Sequence, residues 1–238
     1  MIARFALLFV PAALATQAAF EAAVIKPADP SANGFVTRLS RTQVELRNCS
    51  LLQCIETAWA LPEYAVSAPS WLDSVHFDVV AKLPEGASLR DFPPMLQTLL
   101  ADRFALKTHT VTRAVPGYAL TIAKGGPKMP GAPPDSPPSS SDGPALVRCR
   151  ACTMQAFIAQ LTRSLGRPIA DQTSLAGTYN FDLHWTIDMP PSPSGDASTP
   201  GPSIFAAAEE QLGLKLQGGR IPTMILVVDG ANRTPSGN

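Results

Sequence analysis

The chain has 238 residues with 19 basic and 19 acidic side chains, so its formal net charge is zero. That balance argues against a surface built to hold nucleic acid or anionic lipid, which needs clustered positive charge. The length is enough for two modules that each bury a core.

In chain order, the N-terminus reads as an export signal. Arg4 supplies a short basic region, Phe5 to Ala15 is apolar, and small residues follow, with cleavage expected after Ala15 or Ala18. The apolar run is well short of the roughly 20 residues that span a bilayer, and Pro11 interrupts it. Residues 1–18 are therefore assigned to a signal peptide, and the mature chain is expected to be periplasmic or secreted, with no transmembrane segment.

An even cysteine count in an exported chain predicts disulfides. Cys49, Cys54, Cys149 and Cys152 allow three pairings, and spacing does not choose among them. Four thiolates could instead close a tetrahedral zinc site. An oxidising compartment favours the disulfide, and the gap between Cys49 and Cys54 is at the loose end of ligand spacing. Cys149-Arg150-Ala151-Cys152 has the spacing of a thiol oxidoreductase motif and precedes a helix, but the pattern around it is not thioredoxin-like. No metal or cofactor site is assigned.

Residues 20–27 read as a first strand, and residues 34–40 and 42–48 as two more joined by a polar turn. Ser50 is placed to cap a helix with Leu51, Leu52, Ile55 and Trp59 on one face. Strands follow at Tyr64 to Ser67 and His76 to Leu83. Pro93-Pro94 opens a second helix that buries Leu96, Leu99, Leu100 and Phe104. Leu106 to Ala114 and Gly117 to Lys124 read as a hairpin turning near Val115 and Pro116.

Residues 127–144, PKMPGAPPDSPPSSSDGP, have the composition of a linker. After it, ALVRCRA reads as a strand, and Thr153 caps a helix with Met154, Phe157, Ile158, Leu161 and Leu165 on its apolar face, ended by Gly166. Tyr179, Phe181, Leu183 and Trp185 alternate along the next strand. A Pro/Ser/Gly insertion spans 189–202, a last helix carries Ile204, Phe205, Ala208 and Leu212, and a strand runs from Met224 to Val228.

Four blocks recur in one order. CSLLQCIETAWA from Cys49 resembles CTMQAFIAQLTR from Cys152, and HFDV at His76 resembles NFDL at Asn180. PMLQTLLADRFALK from Pro94 answers PSIFAAAEEQLGLK from Pro202, and PGYALTI from Pro116 answers PTMILVV from Pro222. The reading is a duplication: two related α+β lobes at 19–126 and 145–232, each a small mixed or antiparallel sheet with two helices on one face, and a disordered tail at 233–238.

No catalytic constellation stands out. His76 and His184 fall opposite the large apolar residues of their strands, and neither they nor His109 has a histidine at the matching repeat position. Asp78 and Asp182 match across the blocks, but nothing places them at the separation of about 5 to 10 Å that a glycosidase pair needs. No GxSxG elbow, HExxH helix or phosphate-binding loop is present. Gly125-Gly126-Pro127-Lys128 follows a strand without opening a helix, so it reads as a turn rather than an anion cradle.

FEAAVIKP, WLDSVHFDVVAK, MLQTLLADRFALKTHTVTRAVPGYALTIAKGGPK, LGRPIADQTSLAGTYNFDLHW and FAAAEEQLGLKL with MILVVD together resemble an uncharacterised family of exported proteins, abundant in acidobacterial soil bacteria. In that family the domain also occurs fused to BlaR-type metallopeptidases, which implies an extracytoplasmic sensing or interaction module. The chain departs from it at AVSAPSWLD, where relatives carry a glycine-rich turn. Ser174 to Leu183 and Phe205 to Leu216 also resemble the short N-terminal domain of secretins and TonB-dependent receptors. That resemblance implies modules that contact envelope proteins: a TonB-type receptor, a secretin or a sensor peptidase. The expectation is a non-enzymatic envelope protein that binds through a sheet edge or a cleft. The alternative is a secreted hydrolase or carbohydrate-active enzyme using Asp78, Asp182 or a histidine.

Overall fold

The computed structural model describes residues 18–32, 34–186 and 201–237. The expected signal peptide, up to residue 17, and the insertion at 189–202, up to residue 200, lie outside the described residues. The first elements are β1 (Ala22–Pro27), β2 (Val36–Leu39), β3 (Gln43–Ser50), α1 (Leu51–Trp59), a 3-10 turn (Glu63–Ala65), β4 (Val66–Ser67), α2 (Trp71–Ser74), β5 (His76–Lys82) and α3 (Phe92–Phe104). They are followed by β6 (Lys107–Ile122), β7 (Ser139–Gly143), β8 (Leu146–Cys152), α4 (Met154–Leu165), β9 (Ile169–Asp171), β10 (Tyr179–His184), α5 (Ile204–Leu212) and β11 (Leu214–Gly230). The fold is α+β. The described residues divide into two compact units: one holds those up to Leu61, Val66–His109 and those from Val227, the other Pro62–Ala65 and those between Thr110 and Leu226.

The first unit carries an antiparallel sheet in the order β1-β5-β3-β2. Alternate residues Val44 and Leu46 of β3, with Phe77, Val79 and Ala81 of β5, are buried, as period-two side-chain alternation requires. Ser50 starts α1 with a reciprocal cap: its hydroxyl accepts the Gln53 N–H at 3.1 Å, and Gln53 Oε1 accepts the Ser50 N–H at 3.0 Å. The buried stripe of α1 is Leu51, Cys54, Ile55 and Ala58, with Leu52 and Trp59 half-buried beside it. α1 packs on α3, whose Leu96, Leu100 and Phe104 are almost fully buried and contribute about 1.5–3 kcal/mol each. Phe104 meets Phe77 edge-on at 5.0 Å.

The last turn of α3 needs partners for its free carbonyls. They come from the C-terminus: Ser236 Oγ donates to Asp102 O, Ser236 N–H to Arg103 O and Asn232 N–H to Phe104 O, at 3.2, 2.7 and 2.7 Å. The Arg233 guanidinium lies 4.9 Å from the Trp71 ring. Composition suggests a disordered tail here, yet residues 233–237 dock through these groups.

The second unit has a three-stranded antiparallel sheet, β10-β8-β7, covered by α4 and α5. Phe157 of α4, fully buried, meets Phe181 of β10 edge-on at 4.8 Å. Met154, Leu161, Leu183, Ile204 and Leu212 complete the same core. Residues 127–144, with the composition of a linker, lie on this unit. Met129 is buried, Ala132 N–H donates to Thr178 O, Asn180 N–H donates to Pro130 O, and Ser139–Gly143 forms β7. Main-chain hydrogen bonds hold this stretch, and composition does not display them.

β6 corrects the expected hairpin. It runs unbroken through Val115-Pro116-Gly117, and β11 is likewise one strand of 17 residues. A residue before proline prefers extended backbone, so Val115-Pro116 continues a strand as readily as it ends one. Gly117 serves close approach: a Cβ there would lie 2.4 Å from Pro168 O, which accepts the Tyr118 N–H. β6 pairs in parallel with β9, within a sheet of order β4-β11-β6-β9. The Gly125-Gly126-Pro127-Lys128 turn closes the end of α5: Lys128 N–H donates to Leu212 O at 2.8 Å, and its ammonium donates to Glu210 O at 2.7 Å.

Candidate functional site

Each unit places the same local device where a strand meets a helix. In the first, Asn48 takes a left-handed φ of 50° at a β-bulge between Leu46 and Cys49. Asp78 Oδ1 accepts the Asn48 N–H at 2.9 Å, and Arg47 donates to Asp78 Oδ2 at 3.2 Å. In the second, Ala151 has φ 49°, and its N–H donates to Asn180 Oδ1 at 2.8 Å. Arg150 donates to both oxygens of Asp182 at 2.7 and 3.3 Å, with Arg148 at 3.5 Å.

By these hydrogen bonds the counterpart of Asp78 is Asn180, not Asp182. Cys49 stands opposite Phe77 and Cys152 opposite Tyr179, so the strand correspondence is shifted by two residues from the HFDV/NFDL match. A shift of two keeps every side chain on its own face, so the hydrophobic pattern cannot report it.

The Arg150 hydrogen bond holds the Asp182 carboxyl below the usual carboxylate range, helped by the positive charges of Arg150 and Arg148. A lowered folded pKa contributes stability above the unfolded value near ~3.9 and loses it as pH falls through the folded value. Asp182→Asn is expected to flatten the acid end of the unfolding profile below about pH 4 and to leave it unchanged at neutral pH apart from a small constant offset. Urea midpoints collected along a pH series check this.

His76 and His184 are exposed, as the alternation predicts, and the main chain of His184 is clamped by the Gln211 side chain at 3.0 and 2.7 Å. His109 Nδ1 lies 2.9 Å from the Asp229 carboxylate in an exposed pair. The four cysteines are all buried. Cys49 and Cys54 bring their sulfurs to 2.7 Å, and Cys149 faces Gln160 at 3.8 Å. Hydrogen bonding to Cys54 and burial push the Cys49 thiol up, and burial does the same to Cys149, the reverse of a reactive thiolate. Among the described residues no group of three or more His, Cys, Asp or Glu side chains is placed to hold a metal ion.

The open surface lies at the edge of the first sheet. All four residues of β2 are exposed, Val36 at 42% and Leu39 at 48%, and Phe35 just before them at 37%. Among the described residues only β3 flanks this strand, so one row of its backbone donors and acceptors is left for a further strand. Asn48 anchors its entry: Nδ2 donates to Ala32 O and Gly34 O at 3.2 Å each. The sequence carried a signal for this surface. Val36 and Leu39 are three apart in a strand and so point to opposite faces, and a sheet covered on one face exposes one of them.

The α+β chain thus forms two compact units with charged side chains paired at the strand–helix junctions and an edge strand, β2, whose residues are exposed. The chain belongs to the DUF3738 family, described as protein of unknown function, whose model matches residues 52–231. No curated protein and no solved structure matches it. Among the described residues no helix is long and apolar enough to cross a membrane.

Proposed function

We propose that the chain is an exported, non-enzymatic interaction module of the cell envelope, built on a duplicated unit, which accepts an extended segment of a protein partner along β2. The observation that carries this reading is the exposure of Phe35, Val36 and Leu39 on a strand with one free edge. The strand–bulge–helix device in each unit supports the duplication. The leader-like N-terminus supports export, and the resemblances noted above favour a secretin, a TonB-type receptor or a sensor peptidase as partner. Asp78 and Asp182 each bond to arginine, which suits structural carboxylates better than a hydrolase pair.

The test compares the parent chain with a Val36→Lys, Leu39→Lys variant in crosslinking and affinity capture from the host envelope. Both side chains are exposed, so the variant is expected to keep the parent's melting temperature and circular dichroism. Recovery of the partner is expected to fall about tenfold or more, the loss of roughly 1.4 kcal/mol of edge pairing. Equal recovery by a folded variant would overturn the use of this edge.

A further inference from the structure

We propose that Cys49 and Cys54 are joined by a disulfide that covalently closes the start of α1. Cys49 is the residue before the Ser50 cap and Cys54 is the fourth residue of the helix, the two positions that pack together as a hydrophobic staple. In the second unit the same two positions are Cys152 and Phe157, members of one core. The first unit therefore replaces an aromatic with a thiol and places it against a second thiol. Their sulfurs lie 2.7 Å apart with both side chains at most 1% exposed. A soft cation bridging two thiolates needs more room, since metal–sulfur bonds near 2.3 Å set the sulfurs ~4 Å apart.

The reaction is a thiol–disulfide exchange. One thiolate attacks the disulfide of an oxidant, either glutathione disulfide or the active-site disulfide of a thiol oxidoreductase, to form a mixed disulfide and release one oxidant thiol. The second cysteine displaces the other oxidant sulfur, closing the Cys49–Cys54 bond. Two thiol hydrogens leave as protons, and the oxidant gains two electrons. Burial and the high thiol pKa disfavour this attack in the folded unit, so the bond forms before α1 docks and is sheltered afterwards.

The bond deepens the docking reading and rests on it for its purpose. Cys49 adjoins Asn48, whose bulge and side chain hold the entry to β2, so the crosslink stiffens the support of the edge strand.

The experiment needs no knowledge of compartment or partner. The purified chain is denatured and reduced, refolded in a buffer of reduced and oxidised glutathione, then alkylated under denaturing conditions and digested with trypsin. Cys49 and Cys54 share the peptide 48–82, whereas cleavage after Arg148 and Arg150 separates Cys149 from Cys152. The expected result is the 48–82 peptide unalkylated and two hydrogen atoms lighter. Alkylation of both its cysteines, or its linkage to peptide 149–150 or 151–163, would overturn the proposal. The oxidised parent is also expected to melt above its reduced form, with that gap reduced in Cys54→Ala; an equal gap in the variant counts against the pairing. Loss of edge-dependent capture with an intact 48–82 crosslink would sink the docking reading alone.

Discussion

Phe157→Ala is expected to lower unfolding stability by about 3–5 kcal/mol, read as a fall in urea midpoint at unchanged slope. Phe157 is fully buried, stands at the staple position of α4 and meets Phe181 edge-on. Truncation removes transfer energy, leaves a cavity and forfeits the aromatic pair, three losses of the same sign. The surroundings are poorly placed to collapse into the space, because Leu161 and Leu183 of the same core are themselves fully buried. A loss under about 1.5 kcal/mol would mean that this core repacks as readily as a conservative swap, and that Phe157 does not anchor α4 to the sheet.

Gly213→Ala is expected to cost about 1–3 kcal/mol of close packing on top of the left-handed penalty of about 1–2 kcal/mol that alanine carries at such a cap. Gly213 ends α5 with φ 66°, and the matching position at the end of α3 is Ala105 with φ 48°. Alanine therefore tolerates the left-handed cap in this fold. The difference lies in what the Cβ would meet: at 213 it would lie 1.9 Å from the carbonyl oxygen of Gly126, in the turn that closes the helix. Gly166, which ends α4 with φ 60° and open space around it, supplies the control. Gly166→Ala is expected to cost only the left-handed penalty of about 1–2 kcal/mol. Parallel urea titrations distinguish the two, and equal losses at the two positions would refute the steric account.

The elements most legible in the sequence are those whose signals are local. Ser50, Thr153 and Gly166 mark helix ends through hydrogen bonds spanning three or four residues, and each does so in the structure. Phe181 and Leu183 are buried where the alternation places them. The hairpin at Val115-Pro116 was not legible correctly, because the same dipeptide suits a turn and an extended strand. The choice is made by Pro168, which is distant in sequence and presses against Gly117. Residues 127–144 hid their role for a related reason: one buried methionine and a ladder of main-chain hydrogen bonds leave little trace in composition.

The candidate site divides in the same way. That Cys49, Cys54, Asp78 and Asp182 were worth weighing followed from residue type and repeat position. That Asn180 rather than Asp182 takes the place of Asp78 follows from strand register, whereas the Cys49–Cys54 contact follows from the two positions either side of the Ser50 cap. The α+β class, the caps at Ser50, Thr153 and Gly166 and the apolar helix faces were legible in the sequence, since periodicity and capping are short-range physics. The unbroken β6, the docked tail and the uncovered β2 edge were settled only by tertiary structure. Each of these depends on which distant backbone groups and side chains come within a few ångströms, and no local pattern encodes that.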